Sequence, residues 1–179
     1  TFNWVKDERV TNFTSSVTDF QALSDIFTDY KFDYVFHLAA KTRIVPAMQN
    51  PPETLHENYL GLLNILELSR NNGVKRVIFS SSSSVYGTQK IPYKEWASTD
   101  CLNPYALSKL HGESLCKHYS DVFGVDTVCL RYFNVFGERM PERGQYAPVI
   151  AIFLRQLREN VELTVVGDGL QRRDFVYVN

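Results

Sequence analysis

Short apolar segments of strand length alternate with helical patterns along this chain, and this order limits the folds that it can adopt. Residues 34–38 form one such apolar run, with the length expected for a strand buried on both faces. Residues 54–72 place apolar side chains at helical spacing and are followed by Gly73, a typical C-terminal cap. Residues 77–79 form the next apolar run. Because parallel strands need crossover helices, we predict an α/β fold with a doubly wound, parallel, Rossmann-like sheet.

Residues that favour helix ends predict two further helices. Thr18 and Gln21 have the spacing of a capping box, which places the start of a first helix there. Asn103-Pro104 has the form of an N-cap and a first helical residue, and it opens a helix that we expect to end at Gly124. A strand over residues 125–132 follows, so the alternation of helix and strand continues to that point.

The pattern changes after Gly137. A loop rich in Pro, Gly and Arg precedes a helix near residues 149–158 and a strand at residues 163–166. We predict an α/β domain over residues 1–136 and the beginning of a smaller, substrate-binding region over residues 137–179. The sequence starts at Thr1 without Met and stops at Asn179 without a polar tail, so we expect the chain to be part of a longer protein.

Charge and residue types argue against several classes of protein. The formal net charge of -1 gives no basic field that would attract nucleic acid or an anionic membrane surface. No run approaches the roughly 18 apolar residues of a membrane span, so we expect a cytoplasmic protein. The three cysteines form no CxxC pair and the four histidines have no metal-ligand spacing, which predicts neither disulfides nor a metal site.

Two groups of polar residues are candidates for chemistry. Tyr105 and Lys109 are four residues apart on a predicted helix, so their side chains share a face. Alone, this pair is also typical of a half-buried tyrosine beside a solvated lysine. The serine run at residues 80–84 follows a predicted strand, and open α/β sheets bind ligands beyond the carboxyl ends of their strands. Alone, this run is also typical of a polar loop.

Several short phrases occur in a characteristic order: His37-Leu38-Ala39-Ala40, Asn58 with Gly61, Ser82 with Val85-Tyr86-Gly87, Asn103-Pro104-Tyr105 with Lys109, Arg131-Tyr132-Phe133-Asn134, and Arg173-Asp174. Their order and spacing resemble the NAD-dependent epimerase/dehydratase family, which are extended short-chain dehydrogenase/reductases. The resemblance is strongest to nucleotide-sugar epimerases of the UDP-glucose 4-epimerase type. It covers nearly the whole chain.

The resemblance implies a catalytic set of Ser82, Tyr105 and Lys109. A free tyrosine is a poor base at neutral pH, but a nearby ammonium favours its phenolate, which can take a proton from a sugar hydroxyl. Ser82 would bind the same oxygen, although the register leaves Ser81 and Ser83 open as alternatives. Ser83 and Ser84 stand where related dehydratases have Asp-Glu, so elimination of water is disfavoured. We expect transient oxidation by NAD and inversion of the 4-hydroxyl of a UDP-hexose or UDP-N-acetylhexosamine.

The resemblance also implies two sets of binding residues. Those expected to bind NAD are Ser16, Val17, Leu38, Ala39, Ala40, Thr42, Asn58, Ser80, Ser81, Tyr105, Lys109 and Tyr132. Those expected to bind the nucleotide sugar are Ser82, Asn134, Val149, Thr164, Val166 and Arg173. The same comparison predicts a homodimer formed through the helices that begin near Thr54 and Asn103.

Two features depart from the family pattern. Its glycine-rich turn and the acidic residue that binds the adenosine ribose are not found, so we expect a βαβ unit of about 30 residues before Thr1. This leaves the choice between NAD and NADP open. Ser16 stands where related proteins have an aspartate that contacts adenine. The alternatives to a 4-epimerase are another epimerase or a ketosugar reductase of this family, or a non-catalytic sensor of dinucleotide or nucleotide sugar.

Overall fold

The computed structural model describes residues 7–144 and 147–179. The chain divides into two compact units, residues 1–131 and residues 132–179, and each is described by itself. The predicted domain boundary after residue 136 falls at the end of the first strand of the second unit. The assignment of domains stays a prediction.

A three-stranded sheet forms the centre of the first unit. Its strands are β1 (Tyr34–His37), β2 (Arg76–Ser82) and β3 (Thr127–Tyr132), in the order β1-β2-β3. β1 and β2 run parallel, with His37 opposite Phe79. The helices are α1 (Phe20–Asp29), α2 (Ile44–Gln49), α3 (Pro51–Asn71) and α4 (Pro104–Phe123). The predicted α/β fold with parallel strands is confirmed, and β2 is longer than predicted because it takes in the first three serines of the run.

The ends of α4 follow from local backbone chemistry. The Asn103 side chain accepts a hydrogen bond from the Ala106 N–H at 2.9 Å, and Pro104 occupies the first helical position. At the other end, Gly124 has φ 72° and donates its N–H to the last turn. Both predicted ends are confirmed, so the position of Tyr105 in the first turn of α4 is fixed by its neighbours.

The predicted capping box at the start of α1 is wrong. The N-cap is Asp19, whose carboxylate accepts a hydrogen bond from the Ala22 N–H at 3.1 Å. The Thr18 hydroxyl lies instead 2.8 Å from the Ser16 hydroxyl, and Gln21 donates to Asp25 one turn further along. The helix is therefore capped by the carboxylate of Asp19, one residue after the predicted Thr18.

The core lies between one face of the sheet and helices α1, α3 and α4. Its buried members are Leu23, Phe27, Leu62, Ile65, Leu66, Leu68, Val74, Val77, Phe79, Leu115, Cys116, Tyr119 and Val125. α4 approaches β2 closely at Gly112, where an added Cβ would lie 2.4 Å from the Phe79 ring. Burial of β1 on both faces is not found in the described residues, since Phe36 is 68% exposed. Val35 packs against the core and His37 is buried, whereas Tyr34 and Phe36, which point to the other face, are exposed.

The second unit contains β4 (Asn134–Phe136), α5 (Val149–Arg158) and β5 (Phe175–Tyr177), and β4 pairs with β5 in parallel. α5 has the predicted bounds. The predicted strand at residues 163–166 is wrong, because this segment pairs with no strand of the described chain. Instead, the Gln156 side chain donates to the Thr164 hydroxyl at 2.7 Å and accepts from the Thr164 N–H at 3.2 Å. The Gln156 side chain thus bonds to Thr164 in the way that a neighbouring strand would.

Across the described residues, no helix combines the length and the apolar character needed to cross a membrane.

Candidate active site

Several predicted cofactor residues lie at or just after the ends of strands. Leu38, Ala39, Ala40 and Thr42 follow β1, Ser80 and Ser81 lie near the end of β2, and Tyr132, the first residue of the second unit, ends β3. Since β1 and β2 are parallel and adjacent, the first two groups lie at the same edge of the sheet. The Ser80 hydroxyl is buried there and has no hydrogen-bond partner among the described residues. A polar ligand at this edge would satisfy it, as ligands commonly do at the carboxyl ends of parallel strands.

Lys109 connects α4 to this edge. Its side chain is buried, with 3% of the residue exposed, and its Nζ donates to the Ser80 carbonyl oxygen at 2.8 Å. The same Nζ lies 5.9 Å from the centre of the Tyr105 ring and 5.0 Å from that of Phe79. Burial lowers the pKa of Lys109 to about 8. The ammonium is therefore held beside Tyr105 by a backbone oxygen of β2.

Ser82 is buried at the last position of β2. Its Oγ accepts a hydrogen bond from the Ser84 N–H at 3.1 Å and so caps the 3₁₀ turn Ser83–Tyr86. Because this bond uses a lone pair, the hydroxyl hydrogen of Ser82 can still be donated to a ligand. The hydroxyl of Ser81 donates instead to Glu113 on α4. The two neighbouring serines therefore differ in what their hydroxyl groups can bind.

Asn58 joins the segment after β1 to the first turn of α4. Its Oδ1 accepts from the Lys41 N–H at 2.7 Å, and its Nδ2 donates to the Lys41 carbonyl at 3.0 Å and to the Ser108 hydroxyl at 2.8 Å. Ser108 in turn donates to the Tyr105 carbonyl oxygen at 2.7 Å. Ser108 was not predicted as a site residue from the sequence. Its position between Tyr105 and Lys109 is the feature that could have indicated it.

α3 also holds the segment with Ser16 and Val17. Asn64 donates its Nδ2 to the Val17 carbonyl at 3.0 Å, and the Val17 side chain packs on Gly61, where a Cβ would come within 2.6 Å of it. Ser16 is exposed, and its hydroxyl accepts from the Thr18 N–H at 3.2 Å. Through Asn58 and Asn64, α3 therefore holds both of the segments before residue 43 that were predicted to line the cofactor site.

His37 lies at the end of β1, in the core beneath this edge. Burial lowers its pKa to about 4, and the nearby charge of Lys109 acts in the same direction. Its ring stacks on Phe79 with the ring centres 6.1 Å apart. The imidazole is therefore neutral at physiological pH, and its role is packing.

The predicted substrate residues other than Ser82 all lie in the second unit. Asn134, on β4, donates its Nδ2 to the Asp174 carbonyl at 2.9 Å, which places it beside the residue that follows Arg173. The Arg173 guanidinium is exposed and donates to the Arg172 carbonyl at 2.7 Å. The others are at the start of α5 and in the segment held by Gln156: Val149, Thr164 and Val166.

A sequence profile described as the NAD dependent epimerase/dehydratase family matches residues 1–179. The chain belongs to this family. The family predicted from the sequence is therefore confirmed.

Named members of the family align with most of this chain. A UDP-glucuronate 4-epimerase of Thermodesulfobacterium geofontis is 35% identical over 97% of this chain and 53% of its own length. A putative UDP-glucose 4-epimerase of Methanocaldococcus jannaschii is 39% identical over 82% of this chain and 48% of its own. The chain thus spans about half the length of the curated relatives it matches.

Solved structures of the family share the fold. The UDP-N-acetylglucosamine 4-epimerase of Methanobrevibacter ruminantium, in complex with UDP-N-acetylmuramic acid, has a TM-score of 0.90 and 38% identity over 97% of this chain and 55% of its own. The UDP-glucose 4-epimerase of Thermus thermophilus, in complex with NAD, has a TM-score of 0.86 and 29% identity over 96% of this chain and 58% of its own.

Proposed function

We propose that this protein is an NAD-dependent nucleotide-sugar epimerase that inverts the 4-hydroxyl of a UDP-hexose or UDP-N-acetylhexosamine. The observation that carries the proposal is the buried Lys109 ammonium, which lies 5.9 Å from the Tyr105 ring in a member of the epimerase family. Its relatives include epimerases named for UDP-glucose, UDP-glucuronate and UDP-N-acetylglucosamine, which support a UDP-sugar substrate.

The residues at the sheet edge suit NAD. The unpartnered Ser80 hydroxyl is a buried polar group that a ligand would satisfy, and the small side chains of Ala39 and Ala40 leave the backbone after β1 accessible. With Leu38, Thr42, Asn58 and Ser81, and with Tyr132 at the end of β3, these residues would hold the cofactor. When bound, NAD provides the acceptor for a hydride from the sugar carbon and later its donor.

The protein residues would control the proton and the sugar oxygen. The Tyr105 oxygen, beside the Lys109 ammonium, would take the proton of the sugar hydroxyl while the C–H bond of that carbon breaks and its carbonyl forms. Ser82 donates its hydroxyl hydrogen to the same oxygen. After the ketosugar had turned, Tyr105 would return the proton to this oxygen as the carbonyl is reduced on its other face, which would give the inverted alcohol.

Ser82 is a better candidate than Ser81 for this contact. The Ser81 hydroxyl already donates to Glu113, whereas Ser82 uses only an acceptor position, toward the Ser84 N–H. Ser83 and Ser84 follow in the 3₁₀ turn and carry no carboxyl group. A hydroxyl cannot replace a carboxyl as a proton shuttle near neutral pH, so epimerisation is favoured over dehydration.

The second unit would bind the nucleotide diphosphate. Arg173 presents an exposed guanidinium, a group that binds phosphate with two parallel hydrogen bonds, and Asn134 lies on the adjoining strand β4. The remaining predicted contacts, Val149, Thr164 and Val166, would pack against the base and ribose.

We also propose that two copies associate through α3 and α4. A partly apolar groove runs between these helices, and its lining includes Leu55, Tyr59 and Leu60 from α3 and His111 from α4. Burial of these apolar groups against the same surface of a second copy would favour a symmetric dimer. Sedimentation of the intact protein should give a dimer, and Tyr59→Arg should weaken it. A wild-type monomer at micromolar concentration would rule this out.

The function is tested by proton NMR of the sugar. We would incubate the intact protein with UDP-glucose, UDP-N-acetylglucosamine and UDP-glucuronate in turn, without added reductant, and expect the galacto-epimer of at least one. Tyr105→Phe should slow the reaction by a factor of about 10² to 10⁴, and Tyr30→Phe, on an exposed tyrosine at the end of α1, should not. Unchanged spectra for all three sugars would overturn the proposal. Net consumption of reduced nicotinamide would indicate a reductase, and tight dinucleotide binding without turnover a sensor.

A further inference from the structure

A half-buried ion pair between Glu113 of α4 and Arg131 of β3 contacts residues on either side of Ser82, the predicted catalytic serine. Arg131 of β3 donates from Nε to Glu113 Oε1 at 2.9 Å and from Nη2 to Oε2 at 2.7 Å. Their side chains are only 20% and 13% exposed. In every other ion pair of the described residues, at least one side chain is 41% or more exposed. Hydrogen bonding to Glu113 raises the pKa of Arg131 above its ordinary value, so the guanidinium keeps its charge.

This ion pair contacts the chain on both sides of Ser82. Before it, the Ser81 hydroxyl donates to Glu113. After it, the Arg131 guanidinium lies 4.8 Å from the centre of the Tyr86 ring, at the end of the 3₁₀ turn. Since Ser82 itself caps that turn, the backbone that carries its hydroxyl is held at both ends by one pair of charges.

The same pair sets the position of α4 along β2. Tyr105, Lys109 and Glu113 follow one another at intervals of four residues, so they lie on one face of α4. Lys109 donates to the carbonyl of Ser80, and Glu113 accepts from the hydroxyl of Ser81. Two polar links to consecutive residues of β2 therefore prevent α4 from sliding along the strand. The distance between Tyr105 and Ser82 depends on this register.

We infer that Glu113 and Arg131 are positioning residues for the reaction, which hold Ser82 and the register of α4 so that the Ser82 hydroxyl and Tyr105 meet at one substrate oxygen. The inference rests on the proposed function for its catalytic consequence. The structural part, that the ion pair holds Ser82 and the turn it caps, does not depend on turnover.

The structural part is tested by amide exchange in the intact protein without substrate. Glu113→Gln keeps the shape of the side chain but removes the charge that pairs with Arg131. We expect the Ser84 amide, which donates to Ser82, to exchange about tenfold faster, with the amides of α3 unchanged. Arg131→Lys keeps the charge but cannot form the two parallel bonds, so it should also speed the exchange of the Ser84 amide. This second variant keeps the test available if Glu113→Gln folds poorly. Unchanged exchange at Ser84 in both variants would overturn the inference.

The catalytic part is tested by a double-mutant cycle. Glu113→Gln should lower kcat at least tenfold with KM changed less than twofold, because the group is needed where the oxygen reacts. In a Ser82→Ala background the same change should lower kcat by a smaller factor, since one of the two groups that it positions is gone and only the register of α4 is still affected. Equal fold-losses in both backgrounds would overturn the positioning of Ser82.

The matched control is Glu67→Gln. Glu67 is also a carboxylate between α3 and α4, where it accepts from the Tyr119 hydroxyl at 3.0 Å, but within the described part of the chain none of its hydrogen bonds reaches β2. We expect it to leave Ser84 exchange and kcat unchanged. If Ser84 exchange responds as expected and the wild-type protein turns over no nucleotide sugar, the proposed function fails and the structural assignment of Glu113 and Arg131 stands.

Discussion

Gly112→Ala is a substitution in which two known effects oppose each other, so the outcome tests the packing of α4 on β2. The added Cβ would lie 2.4 Å from Phe79 Cζ, 2.7 Å from Cε1 and 3.1 Å from Leu62 Cδ2. Carbon atoms in contact are about 3.5 Å apart or more, so the nearest distance is short by about 1 Å. Phe79 is 2% exposed and Leu62 0%, so neither ring nor side chain can swing into solvent.

The magnitude follows from the two opposing terms. Alanine is favoured over glycine within a helix by about 1 kcal/mol, which would stabilise the variant. Overpacking of a tight core costs about 1–3 kcal/mol, and the close contact here with two buried side chains puts the cost toward the upper end. We expect a net loss of about 1–2 kcal/mol in the free energy of unfolding. We also expect a lower kcat, because α4 must move away from β2 and Lys109 loses its 2.8 Å bond to Ser80.

Urea unfolding of the intact protein measures the first effect and turnover the second. Ser114→Ala, on the exposed side of the same helix, is the control for helix propensity and should be at least as stable as the wild type. If Gly112→Ala proved as stable as the wild type, the close packing of α4 on β2 would be refuted.

Three further predictions concern buried polar groups. Ser69 is buried in α3, and its hydroxyl has no hydrogen-bond partner among the described residues. Ser69→Ala should therefore raise the free energy of unfolding by about 1 kcal/mol. A free energy below that of the wild type in urea unfolding would contradict this. His37 has its pKa lowered to about 4 by burial, so only the unfolded chain binds its proton between pH 6.5 and 4. Stability should therefore fall by about 2 kcal/mol from pH 7 to pH 5, and His37→Gln should lack that part of the slope, as urea titrations at both pH values would show. Burial lowers the pKa of Lys109 to about 8, so kcat/KM should decline above that pH as the ammonium is lost; a flat profile to pH 10 would argue against its role.

Features set by neighbouring residues could be predicted from the sequence. Asn103, Pro104 and Gly124 define the ends of α4 through their own backbone preferences. The Tyr105–Lys109 spacing likewise depends only on helix geometry. These determinants act within a few residues, so a pattern in the sequence carries them completely.

Features that depend on a distant partner could not be predicted in this way. The segment at residues 163–166 has a strand pattern, but the backbone N–H of Thr164 donates to the side-chain amide of Gln156 instead of to a strand. The link between Asn58 and Ser108 joins residues that are 50 positions apart, and that between Glu113 and Arg131 joins residues 18 apart. Which side chain meets such a group is decided by packing, and no local pattern records it.

The single stripe formed by Tyr105, Lys109 and Glu113 on α4 also determines which kinds of sequence change this helix can accept. Successive residues of an α-helix are rotated by about 100°, so one residue inserted between Lys109 and Glu113 would turn Glu113 away from Ser81 and Arg131. The same insertion would shift Gly112 from its contact with Phe79. Point substitutions on the exposed side, as at Ser114, disturb none of these contacts. The length of this segment is therefore under a stricter constraint than most of its residue identities.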